Sequence, residues 1–98
     1  MLTVIKRATF RGRTFTIVRD GKFYMAIEDK YVTDGKTNTR LNGLQTYASE
    51  SVSRCLTTTK NAVESDYLVS QGYSRAEAFC IIFNCMDKLA DIERIMGA

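Results

Sequence analysis

The chain contains no histidine among its 98 residues, and this absence removes several kinds of catalytic and metal-binding site. Histidine is the usual base that activates a serine or cysteine nucleophile, and it is a frequent ligand of zinc and iron. The carboxylates also form no pattern typical of an acid–base pair, since Glu28-Asp29 lies at the end of a predicted strand and Glu64 and Asp66 lie on the polar side of a predicted helix. The sequence therefore predicts a protein that is not an enzyme, with no catalytic residues, no metal site and no cofactor.

Long apolar segments are also missing, and this bears on localisation. The longest apolar run, residues 78–83, is far shorter than the roughly 20 residues of a membrane-spanning helix. The first twenty residues contain five basic side chains, which is incompatible with the apolar region of a secretory signal. Three cysteines without an export signal indicate reduced thiols. We therefore expect a cytoplasmic protein that does not contact membranes.

The length predicts one domain over residues 1–98, and the charge is unevenly distributed along it. Residues 1–45 contain nine Lys and Arg against four Asp and Glu, a net charge of +5. Residues 46–98 contain five against seven, a net charge of −2. This asymmetry favours an acidic partner for the first half, although a solvated sheet face rich in Arg and Lys would give the same distribution.

The first half has the composition of a three-stranded antiparallel sheet. Segments near residues 2–10, 14–18 and 22–28 are rich in Thr, Val, Ile, Phe and Tyr, and Gly12 and Gly21 separate them. Apolar residues at helical spacing dominate the second half. The sequence therefore predicts a sheet and loop in residues 1–45 and a helical hairpin in residues 46–98.

Turn chemistry predicts how these strands pair. A type II′ turn at residues 12–13 places Phe10 opposite Phe15, and a three-residue loop with a G1 bulge at residues 19–21 places Phe15 opposite Met25. A two-residue second turn would instead move the apolar side chains of the third strand to the other face, so the bulged loop is preferred. The predicted core face consists of Ala8, Phe10, Phe15, Ile17, Phe23, Met25 and Ile27.

The other face of the predicted sheet is polar and basic, with Arg7, Thr9, Arg11, Thr14, Thr16 and Tyr24, and with Lys22 beside the second turn. Arginine and threonine around an exposed tyrosine can contact phosphates and stack on a base. The same side chains are also typical of any solvated antiparallel face. The candidate surface for a partner or a nucleic acid consists of Arg7, Arg11, Arg13, Lys22 and Tyr24.

Residues 29–45 carry only weak signals. Asp34-Gly35 indicates a turn. The tripeptide at residues 35–37, Gly-Lys-Thr, resembles the end of a phosphate-binding loop, but that motif needs a glycine where this chain has Lys30. The sequence therefore does not predict a nucleotide-binding loop.

Two helices are predicted in the second half, and the first has a clear apolar stripe. Asn42 followed by Gln45 resembles a capping pair, so the helix is expected to begin there or at Thr46, and Gly72 is expected to end it. The stripe consists of Leu44, Ala48, Val52, Cys55, Leu56, Thr59, Val63 and Tyr67.

The second predicted helix covers residues 75–96, and Ser74 with Glu77 forms its capping box. It is apolar around more than half of its circumference, which indicates burial between the sheet and the first helix, or against a second copy of the chain. The expected homodimer face consists of Ile81, Cys85, Leu89, Ile92 and Met96. The whole pattern predicts an α+β fold of order β-β-β-α-α, with two antiparallel helices packed on one sheet face.

Two of the cysteines lie within the second predicted helix. Cys80 and Cys85 are five positions apart, or about 140° around a continuous α-helix, so they are not expected to converge on one metal ion. Their neighbours are Ile and Phe, which favours inert thiols in the core.

Small size, no apparent chemistry and a basic sheet beside an apolar helix are common among regulators and inhibitors from phages and mobile elements. Some of these act on host nucleic-acid-handling complexes of the CRISPR type. We therefore expect a non-enzymatic binding protein that acts through surface contacts with an acidic or nucleic-acid-associated protein partner. The alternative is direct nucleic-acid binding through the basic sheet face, and a third hypothesis is a small-ligand pocket between sheet and helices.

Overall fold

The computed structural model describes residues 3–29, 32–33, 36–37 and 49–96. The strands are β1 (Thr3–Phe10), β2 (Arg13–Asp20), β3 (Phe23–Glu28), β4 (Val32–Thr33) and β5 (Lys36–Thr37). The helices are α1 (Val52–Ser70), α2 (Arg75–Ile82) and α3 (Leu89–Met96). The predicted α+β class and the order of a three-stranded sheet followed by helices are confirmed, with the second predicted helix divided into α2 and α3.

The chain forms two compact units, Met1–Lys60 and Asn61–Ala98. The first unit contains both sheets and the beginning of α1. The second contains the rest of α1 with α2 and α3. The prediction of one domain over residues 1–98, with both helices packed on one sheet face, stays a prediction.

The three long strands form an antiparallel sheet with β2 in the centre, and the first turn differs from the predicted one. Phe10 pairs with Arg13, so the turn consists of Arg11 and Gly12. Both have positive φ angles, 48° and 76°, which is the geometry of a type I′ turn. The predicted pairing of Phe10 with Phe15 is wrong by two residues, a shift that leaves each side chain on its expected face because faces alternate with period two.

The second turn also differs from the predicted one, and it has a larger effect on which side chains of the sheet lie on each face. Ile17 pairs with Ala26, so the turn consists of Gly21-Lys22, and the predicted three-residue loop with a bulge is wrong. Gly21 has a φ of 62°, as the first central position of a type II′ turn requires. The observed pairing differs from the predicted one by an odd number of residues, so β3 presents the opposite set of side chains to each face.

Both faces of this sheet contain buried apolar residues, which explains why the predicted register fails. Phe15, Ile17 and Ala26 are buried on one face, here named the Ile17 face. Val18 and Ile27 are buried on the opposite face, here named the Val18 face. The prediction assumed a single apolar face, whereas a central strand covered on both sides has adjacent apolar residues. The Val18 face therefore holds the three apolar side chains of β3 that were expected beside Ile17, namely Phe23, Met25 and Ile27.

Helix α1 begins later than the sequence predicts. Its first residue is Val52, and the Ser51 hydroxyl accepts a hydrogen bond of 3.3 Å from the Arg54 backbone N–H. A serine oxygen in this position satisfies a donor that the first turn leaves free. The predicted start at Asn42 or Thr46 is therefore wrong for the continuous helix, and those two residues, like the turn predicted at residues 34–35, lie outside the described residues.

The C-terminus of α1 matches its prediction. Gly72 has a φ of 106°, and its N–H donates to the Val69 carbonyl at 3.1 Å. The Tyr73 N–H donates to the Leu68 carbonyl at 3.2 Å. Together these bonds form a Schellman motif, which confirms Gly72 as the residue that ends the helix.

The buried side of α1 includes a threonine within the predicted apolar stripe. Cys55, Thr59 and Val63 are buried, whereas Tyr67 is partly exposed. The Thr59 hydroxyl donates to the Cys55 carbonyl at 2.7 Å, so its buried polar atom is satisfied within the helix. Threonine therefore fills a core position here without an unsatisfied polar group.

The predicted capping box opens α2. The Glu77 N–H donates to the Ser74 hydroxyl at 3.0 Å, and the Ser74 N–H donates to the Glu77 carboxylate at 3.0 Å. These reciprocal bonds satisfy two donors at the helix N-terminus, as the motif requires.

The predicted continuous helix over residues 75–96 is wrong, because α2 ends at Ile82. Asn84 has a φ of 54°, and the Cys85 N–H donates to the Cys80 carbonyl at 2.8 Å. Asparagine is one of the few residues that adopt the left-handed conformation at low cost, so it can end a helix as glycine does. A 3₁₀ turn, Met86–Lys88, then leads into α3.

The first turn offers a direct test of its backbone geometry. Replacing Arg11 with asparagine is expected to raise the free energy of unfolding by about 1 kcal/mol, because asparagine enters the left-handed region more readily than arginine. Urea denaturation measures the difference. The matched control is Arg11→Ala, which removes the same side chain without that preference. An equal gain in both variants would contradict the conformational explanation.

Candidate functional site

The five residues of the predicted contact surface are all described, and the structure does not bring them together on one face. Arg7 lies on the Val18 face, because it pairs with Thr16. Arg13 and Tyr24 lie on the Ile17 face. The remaining two residues, Arg11 and Lys22, lie in the turns at opposite ends of β2.

Arg13 forms the most buried ion pair of the sheet unit's described residues. Its guanidinium donates to both oxygens of Glu28, at 3.0 Å from Nε and 2.7 Å from Nη2. Glu28 is only 7% exposed, and the Arg13 guanidinium carbon lies 5.6 Å from the centre of the Phe15 ring. This bidentate geometry fixes the guanidinium against the sheet, so Arg13 contributes to the fold.

Arg7 is also engaged by a carboxylate. It forms an ion pair with Asp29, whose carboxylate also accepts a hydrogen bond of 2.9 Å from the Thr16 hydroxyl. The Arg7 side chain is largely exposed, so this pair contributes little to stability and can exchange for another carboxylate.

Tyr24 does not form the exposed stacking platform that the sequence suggests. Its ring lies 5.9 Å from the Arg19 guanidinium, and its side chain is half-buried. Its backbone pairs with Ser49 through two hydrogen bonds of 2.7 and 3.0 Å. These contacts occupy one ring face and the outer edge of β3 at this position.

The structure instead brings cations together at a cleft within the first unit, between β1 and the first half of α1. The cleft has a volume of about 320 Å³. Its lining residues, which define the β1–α1 cleft, are Lys6, Arg7, Ala8, Phe10, Leu56, Thr57 and Lys60. Side chains at alternate positions of a strand share a face, and helix positions three or four apart share a side, so each element contributes a continuous patch.

The cleft combines positive charge with an apolar floor. Ala8, Phe10 and Leu56 supply the apolar surface. Lys6 and Lys60 are exposed, and no carboxylate among residues 3–29 and 49–96 forms an ion pair with either. An anionic group can therefore approach these two ammonium groups without displacing a partner, and an apolar group can cover the floor beside them.

Sequence reasoning missed both lysines. Lys6 alternates with Ala8 and Phe10, and Lys60 is one helical turn after Leu56, so each local pattern is visible in the sequence. What the sequence does not show is that β1 and α1 lie side by side. Their juxtaposition is a long-range property of the first unit.

Strand β1 borders the cleft and is exposed along most of its length. Its first five residues are exposed, and in the described part of the chain it pairs only with β2. The register shifts between Val4 and Lys6, which marks a β-bulge. Bulges and lysines on edge strands hinder strand pairing with unrelated chains. The part of β1 that carries Lys6 is therefore suited to contact a specific partner.

In the second unit, the helix break places two thiols next to each other. Cys80 is fully buried and Cys85 is half-buried, and the Cys85 backbone N–H donates to the Cys80 carbonyl at 2.8 Å. Burial raises the pKa of the Cys80 thiol, and Cys85, Asp87 and Glu93 raise it further. The predicted separation of about 140° is wrong because it assumed a continuous helix.

The predicted homodimer face is divided by the same break. Ile81 belongs to α2, Cys85 to the turn, and the other three residues to α3, namely Leu89, Ile92 and Met96. Ile81 and Met96 are 40% and 47% exposed. The homodimer itself stays a prediction.

The described residues also bear on metal binding and membrane insertion. No group of three or more Cys, Asp or Glu side chains among them is placed to hold a metal ion. None of the helices in this part of the chain has the length and apolar character needed to cross a bilayer.

Comparisons with protein-family models, with curated proteins and with solved structures find no match.

Proposed function

We propose that this protein is a non-enzymatic binding protein that regulates or inhibits a host nucleic-acid-handling complex, such as a CRISPR effector, as proteins of phages and mobile elements do. It acts by holding an acidic and partly apolar segment of a protein partner in the β1–α1 cleft. The observation that carries the proposal is the pairing of two lysines, Lys6 and Lys60, with an apolar floor in one cleft. The class of complex is inferred from the small size of the chain and its basic first half.

The cleft fits the chemistry of a protein partner. Carboxylates of the partner would pair with Lys6 and Lys60, and one apolar side chain would cover Phe10 and Leu56. Interfaces commonly combine an apolar centre with a charged rim, and the charges set the rate and selectivity of association. In this proposal the two lysines select the partner, and the apolar floor supplies the surface area that becomes buried on binding.

The contacts of the other cations favour a protein partner over a nucleic acid. Arg7, Arg13 and Lys22 each form an ion pair with a carboxylate of the same unit. The Arg13 guanidinium is held by both oxygens of the buried Glu28, so it is not available to the phosphates and sugars that receive most protein–DNA hydrogen bonds. Tyr24 is also less available for stacking on a base, because Arg19 lies over its ring.

Arg11 remains part of the proposed contact surface. It is exposed at the tip of the first turn and has a positive φ, a conformation that is costly for arginine. Strained positions of this kind cluster at functional sites, so the strain supports a contact role for its side chain.

Capture of the partner from a bacterial lysate tests the proposal. The tagged full-length chain is incubated with lysate, with and without nuclease, and the bound proteins are identified. A defined protein partner is expected to remain after nuclease treatment and to dissociate as salt rises, because exposed charge pairs are screened. Loss of all bound protein on nuclease treatment would contradict a protein partner.

Direct nucleic-acid binding, the alternative, is measured with labelled DNA and RNA across a range of salt concentrations. It predicts a fall in affinity of roughly 0.7–0.9 logarithmic units, per logarithmic unit of salt, for each phosphate neutralised. The proposal expects no binding of this kind at physiological salt. Tight and steeply salt-dependent binding would replace the protein-partner proposal with the alternative.

A further inference from the structure

The end of α2 brings together two cysteines that the proposed function does not use. Asn84 adopts the left-handed conformation, the Asn84 N–H donates to the Ile81 carbonyl at 3.4 Å, and the Cys85 N–H donates to the Cys80 carbonyl at 2.8 Å. This is a Schellman motif, in which the residues three before and two after the helix end approach each other. An apolar contact usually joins these two positions, and here both are cysteines.

The backbone bond between the two residues limits their separation. With ordinary bond lengths, a distance of 2.8 Å between the Cys85 nitrogen and the Cys80 oxygen places their Cα atoms at most about 7 Å apart. Disulfides join Cα atoms about 4.4–6.8 Å apart. The backbone at the end of α2 therefore already holds the two residues near the separation that a disulfide bridges.

The two thiols differ in accessibility, which sets the order of reaction. Cys85 is half-buried and can be reached by a small reagent, whereas Cys80 is fully buried beside it. Burial and the nearby carboxylates of Asp87 and Glu93 raise the pKa of Cys80, which keeps it protonated in the reduced protein. Cys85 is therefore the thiol that reacts first, and Cys80 is the one that completes the bond.

We propose that Cys80 and Cys85 form a dithiol site that a small disulfide, such as oxidised glutathione, converts to an intramolecular disulfide. The Cys85 thiolate attacks one glutathione sulfur, which forms a mixed disulfide and releases one glutathione that takes up the Cys85 proton. The Cys80 sulfur then attacks the Cys85 sulfur and releases the second glutathione, which takes up the Cys80 proton. The two cysteines lose two electrons in total, and one disulfide is reduced to two thiols.

Mass spectrometry of the folded, full-length chain tests this site. The protein is incubated with excess oxidised glutathione, quenched in acid and alkylated with N-ethylmaleimide in denaturant. The expected product has lost two hydrogens and keeps one alkylated cysteine, Cys55, which is buried in the first unit. Peptide mapping is expected to show the bond between Cys80 and Cys85.

Single substitutions separate the two steps. Cys80→Ser is expected to accumulate glutathione on Cys85, because the thiol that displaces it is missing. Cys85→Ser is expected to leave Cys80 alkylatable, and Cys55→Ser is expected to form the disulfide as the wild type does. Circular dichroism checks that each variant is folded. If Cys80→Ser is unfolded, the disulfide measured in the wild type and in Cys55→Ser tests the proposal by itself. A wild type that keeps three alkylatable cysteines, stops at the mixed disulfide, or pairs Cys55 would overturn the proposal.

Discussion

Replacing Arg13 with alanine is expected to lower the free energy of unfolding by about 3 kcal/mol, because it leaves the Glu28 carboxylate buried without its arginine. Glu28 is 7% exposed and accepts two hydrogen bonds from the guanidinium, at 2.7 and 3.0 Å. The lost Arg13 side chain also removes its contact with the Phe15 ring. Urea denaturation of the wild type and the variant measures the loss.

A double substitution separates loss of this ion pair from simple loss of packing. Replacing Arg13 and Glu28 together with methionine is expected to recover much of the stability, since apolar side chains of similar volume avoid the burial of a lone charge. The control is Lys22→Ala, which breaks an exposed pair with Glu50 and is expected to cost less than about 0.5 kcal/mol. A cost for Arg13→Ala as small as that of Lys22→Ala would contradict the structural role of Arg13.

The second large effect on stability concerns apolar residues that are buried on the two faces of the sheet. Ile17→Ala and Ile27→Ala are each expected to cost about 3 kcal/mol, because each removes a side chain that is at most 1% exposed. The two residues lie on opposite faces, so the costs are expected to add to within about 0.5 kcal/mol in the double variant.

The matched control is Ile95→Ala in α3, where the side chain is 80% exposed. Urea denaturation is expected to show a change within about 0.5 kcal/mol for this surface site. An Ile27→Ala variant as stable as Ile95→Ala would contradict the burial of the Val18 face. Strong coupling between Ile17 and Ile27 would contradict their placement on opposite faces.

Local chemistry made part of this fold predictable. The capping box at Ser74 and the end of α1 at Gly72 depend on a few neighbouring residues, and both form as the sequence indicates. The existence of three strands also follows from composition and from the glycines between them. These features need no information from distant parts of the chain.

The register and the helix break depend on choices that local patterns do not resolve. Arg11 adopts a left-handed conformation in which glycine or asparagine is usual, so the turn lies one residue earlier than expected. Asn84 is similarly inconspicuous within an apolar helical pattern, yet it ends α2. Adjacent burial of Ile17 and Val18 removes the alternation from which the face of β3 was inferred.

The candidate site was predictable only in its basic character. Arg7 was expected at a contact surface and does line the β1–α1 cleft, but Lys6 and Lys60 come from elements far apart in the sequence. The placement of a strand beside a helix of the same unit depends on tertiary packing. Neither the hydrophobic periodicity of the sequence nor its count of charged residues reveals that packing. The helix break at Asn84 likewise brings the backbones of Cys80 and Cys85 together.

The most direct test of the account is capture of the nuclease-resistant partner by charge-reversed variants. Lys6→Glu/Lys60→Glu changes the cleft, and Lys88→Glu/Arg94→Glu makes the same change of net charge at exposed positions in the second unit. If the partner docks in the β1–α1 cleft, the cleft variant, shown to be folded by circular dichroism, captures at least about tenfold less partner than the wild type, while the control captures as much as the wild type does. Full retention by the folded cleft variant would contradict the assignment of the cleft as the docking site.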